Sequence, residues 1–132
     1  MPAPEPVATG SVIAERAWVE TGKEDAIMLS AFATLKSDAS ERWVLKQVTA
    51  RYFRAAMIHR TVLQDGEPRM VLQSSLYIRP GETVAMTKEG YHLMFIGPRK
   101  KFKPGDKVRV VFHFEDQTQM KVNFPVLKKA PK

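Results

Sequence analysis

Turn signals cut this chain into segments short enough for strands and too short for long helices. Asp65-Gly66, Pro80-Gly81, Glu89-Gly90, Gly97-Pro98 and Pro104-Gly105-Asp106 recur through the second half, at the spacing of an all-β protein. Between the breaks the residues favour strands near Ser11–Val19, Ala26–Leu35, Trp43–Val48, Ala55–Leu63, Arg69–Leu76, Glu82–Thr87, His92–Ile96, Lys107–Glu115 and Met120–Val126. Alternation is clearest in Lys107–Phe114, where Val108, Val110, Phe112 and Phe114 share one face. His113 falls on the other face with Lys107 and Arg109, and reads as an exposed strand histidine. Short strands without a long helical period predict an all-β, two-sheet β-sandwich.

At 132 residues, 44% of them hydrophobic, the chain suits one domain with a real core. The expected division is a flexible N-terminal lead-in over 1–10, a folded domain over 11–127 and a basic C-terminal tail over 128–132. No apolar run approaches the roughly 20 residues of a spanning helix, so a soluble domain without a transmembrane segment is expected. The N-terminus lacks a basic start followed by an apolar stretch, so no export signal is visible. A mature form whose leader has been removed and a cytosolic protein fit this equally.

Cysteine is absent, which excludes disulfides, thiolate zinc sites, iron–sulfur clusters and cysteine nucleophiles. Soft-metal chemistry would have to use thioethers, and seven Met are present. The net charge of +7 favours an acidic partner; the plainer reading is a solvated basic surface carried by Lys100, Lys101, Lys103 and the tail.

One set of residues carries metal chemistry. If Asp65-Gly66 is a two-residue hairpin loop, Gln64 opposes Glu67, Thr61 opposes Met70 and His59 opposes Leu72. His59 and Met70 are then diagonal neighbours on one face, about 7–8 Å apart. In His92-Leu93-Met94 the first and third residues project from one face of a strand. Two imidazoles and two thioethers, with no carboxylate or thiolate, suit Cu(I) better than zinc, calcium or magnesium. Singly, a strand Met is usually core filler and a lone His a satisfied one; the weight lies in the joint pattern.

His59, Met70, His92 and Met94 follow the spacing H-x10-M-x21-H-x-M, which resembles the signature of the PCu(A)C-type periplasmic copper chaperones. Pro80-Gly81-Glu82-Thr83-Val84, Gly90-Tyr91-His92-Leu93-Met94, the stretch from Phe102 to Val108, and Ala17-Trp18-Val19 are similar to segments of that family, and the likeness runs from about Ser11 to Val126. It implies a cupredoxin-like, Greek-key β-sandwich and a non-enzymatic metallochaperone. It also implies one Cu(I) per chain held by His59, Met70, His92 and Met94. Delivery would serve the CuA site of cytochrome c oxidase in the periplasm, with cytochrome c oxidase subunit II, a Sco-type copper protein, or both as partners. A monomer that does not bind nucleic acid is expected.

The chain departs from the family where further Met often follow the first His, since Arg60, Thr61 and Leu63 stand there. No His/Met-rich tail is present, so a second, Cu(II)-type site is not expected. Met57 shares the face of His59 and is a candidate substitute ligand, with core packing as its expected role. Met28, Met86 and Met120 are expected in the core, as are Trp18 and Trp43. Tyr91 is expected to pack on the side of its strand away from His92.

Two other readings compete. Arg51-Tyr52-Phe53-Arg54 could place aromatics between phosphate-binding arginines, as in a small basic nucleic-acid module. A copper oxidase or monooxygenase is the third, but the sequence offers it no second metal cluster, acid–base pair or cofactor loop.

Overall fold

Branched and aromatic residues alternating with polar ones build the whole molecule from strands. The computed structural model describes residues 6–23 and 25–131. Among these are eleven strands: β1 Val7–Thr9, β2 Val12–Glu20, β3 Met28–Ser37, β4 Trp43–Ala50, β5 Phe53–Gln64, β6 Glu67–Leu72, β7 Leu76–Ile78, β8 Thr83–Ala85, β9 Tyr91–Pro98, β10 Lys107–Phe114 and β11 Gln119–Leu127. No helix among the described residues is long and apolar enough to cross a membrane.

The strands run β6-β5-β9-β3-β2-β11-β10-β4-β7, with β1 on β2 and β8 on β3. Strands β6, β5, β9, β3 and β2 form one layer and β11, β10, β4 and β7 the other. A short parallel contact between β11 and β2, Val126 with Val19 and Leu127 with Glu20, joins them. This is the expected Greek-key, cupredoxin-like sandwich. The lead-in assigned to 1–10 forms strand from Val7; its first five positions lie outside the described residues, as does Lys132 of the tail. Pro131 is buried, and its carbonyl accepts a hydrogen bond from the Arg16 guanidinium.

Inward-facing residues of both layers fill the core. Phe95, Phe112, Phe124, Leu35, Leu45, Ile78, Leu93 and Met120 are its largest fully buried side chains. Phe95 lies 5.3 Å from Phe53 and 6.1 Å from Phe124, ring centre to ring centre. Such tilted contacts suit the aromatic quadrupole. Phe53 also stacks on Phe102 at 4.9 Å. In the Arg51–Arg54 run, therefore, only Tyr52 presents its ring outward, and the pair of base-stacking aromatics needed by the nucleic-acid reading is not formed. Met86 and Met120 are buried as expected, but Met28 is 46% exposed. It shares its face with Ser30 rather than with the core row Leu29, Ala31, Ala33 and Leu35. Trp18 is buried, and Trp43 packs edge-on against Phe114. His113 is half-exposed with Thr49 Oγ1 3.3 Å from its Nε2.

One irregularity shapes the outer face of the first layer. The β2–β3 register shifts between Glu15 and Trp18, and Arg16 has a φ of 54°, the signature of a β-bulge. Before the bulge Val12 and Ala14 point into the core; after it Ala17 and Val19 do. Trp18 is turned to the opposite side, where its ring meets Phe32 at 5.2 Å.

Candidate metal centre

The Asp65-Gly66 loop sets the first half of the site. Both residues have positive φ, 54° and 81°, which is the geometry of a two-residue type I′ turn. The register follows as the sequence predicts: Gln64 with Glu67, Thr61 with Met70, His59 with Leu72. The long-range pairing of β5 with β9 supplies the second half. His59 stands directly opposite His92, and Met57 directly opposite Met94. Ile58 and Leu93, the intervening pair, point into the core. His59, His92, Met94, Met57 and Met70 therefore share the outer face of the layer.

Their exposures differ sharply. His92 is 2% exposed and Met94 5%, whereas Met70 on the edge strand is 60% exposed. His59 and Met57 are half-buried. Met57 was expected in the core; its parity with His59 excludes it from there. Aromatic residues form one wall, with Phe32 6.4 Å from the His92 ring and Trp18 behind it. Phe32 carried no sequence signal of its own, because its place beside the site depends on the pairing of β3 with β9.

The two imidazole rings lie 5.9 Å apart, nearly perpendicular at 80°. Metal–imidazole bonds of about 2.0–2.1 Å allow two rings sharing one ion to have centres as far apart as about 6.4 Å. The observed spacing is within that reach. The protonation pattern also fits. His92 Nδ1 lies 3.2 Å from the Gly90 carbonyl, and a carbonyl only accepts, so Nδ1 carries the hydrogen and Nε2 a free lone pair. That Nε2 and His59 Nδ1 are buried without a hydrogen-bond partner. Buried polar atoms nearly always have one, so two orphaned nitrogens on neighbouring rings are a ligand arrangement rather than a packing accident. Burial, and then the nearby His92 ring, hold the His59 pKa below the usual 6.5, which keeps the imidazole neutral and able to coordinate.

No group of three or more His, Cys, Asp or Glu that could hold a metal exists among the described residues. A cation that prefers oxygen or mixed nitrogen–oxygen donors therefore has no complete shell here. The two imidazoles can be completed only by thioethers.

The lowered His59 pKa gives a stability prediction. The native state disfavours the protonated ring, so its contribution is complete above the unfolded value of 6.5 and is lost as pH falls through the lower native value. The melting temperature of the metal-free protein should fall as pH is lowered from about 7.5 towards about 5, and His59→Leu should flatten that fall. Calorimetry across that range checks it; equal slopes in parent and variant would contradict it.

The fold and this geometry have relatives. The copper-bound PCuAC domain from PmoF2 superposes with a TM-score of 0.80, covering 96% of this chain and 100% of that domain at 17% identity. The solution structure of CuI-DR1885 from Deinococcus radiodurans gives a TM-score of 0.65, over 86% of this chain and 76% of that one, at 20% identity. In sequence, "Putative lipoprotein Lxx21020" of Leifsonia xyli subsp. xyli is 27% identical over 112 residues, 84% of this chain. The chain spans less than two thirds of the length of the curated relatives it matches, 66% and 56%. A family model described as "Putative lipoprotein LpqE-like" matches residues 12–126, and the chain belongs to that family.

Proposed function

We propose that this domain carries one Cu(I) ion on His59, Met70, His92 and Met94 and hands it to another protein, acting as a metallochaperone and not as an enzyme. The observation that carries this reading is the pair of buried, unpartnered imidazole nitrogens on facing residues of β5 and β9, surrounded by thioethers. Soft neutral sulfur selects monovalent copper. It also leaves the ion removable, since a partner offering thiolates binds it more strongly. Structural neighbours that bear copper in their names, PmoF2 and CuI-DR1885, support the same assignment. The lipoprotein name of the family and of its Leifsonia relative supports a place outside the cytoplasmic membrane, and the periplasm is the specific compartment we propose. The recipient proposed is the CuA centre of cytochrome c oxidase, reached through its subunit II, a Sco-type protein, or both.

Titrating the metal-free protein with Cu(I) against a competing chelator tests this. One strong site per chain is expected, with nitrogen and sulfur neighbours in the X-ray absorption spectrum. No binding, two equal sites, or a shell without sulfur would overturn it.

A further inference from the structure

We propose that Met57, which lies outside the H-x10-M-x21-H-x-M spacing, is a ligand of the bound ion, and that exposed Met70 is the exchangeable one. This rests on the carrier reading above and specifies how its site is built. On β5 and β9, His59 faces His92 and Met57 faces Met94. These are two directly opposed pairs, one step apart on the same face. Opposed residues have Cβ atoms about 4.5–5.5 Å apart and diagonal ones about 7–8 Å, and two residues along a strand advance about 6.6–6.8 Å. Met57 is thus an immediate neighbour of His59, His92 and Met94 at once.

Met70 stands differently. It opposes Thr61 on β6, so it is a diagonal neighbour of His59 alone. Strand β5 separates it from His92, and it lies two pair positions along the sheet from Met94, on the far side of the histidine pair. Burial follows the same division: Met57 is half-buried beside the nearly inaccessible Met94, whereas Met70 is 60% exposed on the sheet edge. A thioether inside the quadrilateral holds the resting ion. One on the open edge strand is placed to meet an arriving partner and to yield its position to that partner's sulfur.

The test uses the full chain. Methionine methyl groups labelled with carbon-13 are followed by NMR while Cu(I) is added to the parent protein. The Met57 methyl is expected to shift together with that of Met94 and to saturate at one equivalent. Met57→Leu, close to methionine in volume, is expected to lose one sulfur from the X-ray absorption shell. It should weaken Cu(I) binding at least about tenfold, since even outer-shell changes cost 10–100-fold. Met70→Leu is expected to weaken equilibrium binding less and to slow copper transfer to a dithiol acceptor. An unmoved Met57 methyl, or a Met57→Leu variant with parental sulfur count and affinity, overturns the proposal while leaving the carrier reading standing. A parent that takes up no copper overturns both.

Discussion

Replacing His92 by leucine is expected to abolish tight copper binding while leaving the fold as stable as the parent or more so. The two effects have separate origins. His92 supplies the buried Nε2 that no protein group satisfies, and a buried polar atom without a partner costs about 1–3 kcal/mol. Leucine removes that cost and keeps an apolar side chain against Phe32. The other end of the ring contributes little that is lost, because the Gly90 carbonyl also accepts from the Thr61 amide at 3.1 Å and stays satisfied. Binding, in contrast, loses one of two imidazoles. Outer-shell substitutions around metal sites already cost 10–100-fold, so removing the ligand itself should cost more than about 100-fold in affinity. Thermal melts of the metal-free proteins and chelator competition on the same samples would show both. A variant that binds Cu(I) like the parent would place the ion elsewhere, and one with a sharply lower melting temperature would make His92 a structural residue.

Phe95→Ala should produce the largest loss of stability. Phe95 is fully buried where the layers meet, between Phe53 and Phe124, and both neighbours are themselves buried in a rigid aromatic stack. A cavity there cannot collapse without moving β5 or β11, so the cost should be near the usual 3–5 kcal/mol for such a truncation. Against a total stability of about 5–15 kcal/mol, much of the margin is removed. Urea unfolding would measure it, with the midpoint falling and the slope unchanged. A loss below about 1 kcal/mol would mean that the site relaxes freely.

The features legible in the sequence were those set locally. Asp65-Gly66 dictated a two-residue loop, and with it the register of His59, Met70 and Leu72, because positive φ at both positions is cheap for that pair. Alternation placed Val108, Val110, Phe112 and Phe114 inward. The pairing of His59 with His92, thirty-three positions apart in the chain, leaves no local trace, and it is what turns two separate His/Met pairs into one site. Without it the position of Met57 opposite Met94 was invisible. Met28 was misplaced for a different reason. The row Leu29, Ala31, Ala33, Leu35 already assigned it to the other face, but hydrophobicity alone argued for the core. The strands Val7–Thr9 and Leu76–Ile78 were missed because three residues carry too little periodicity to read.

The extra residue at Arg16 has an effect out of proportion to its size. Had β2 kept a strict two-residue phase, Trp18 would sit between the layers and the outer face beside Phe32 would be open to water. The bulge instead lays an indole over the outside of the sheet, so a face that would be wet holds a dry recess with His92 against its wall. Whether the imidazoles meet a bare ion or a hydrated one is therefore decided two strands away, by a single shift of phase in a segment that touches neither histidine.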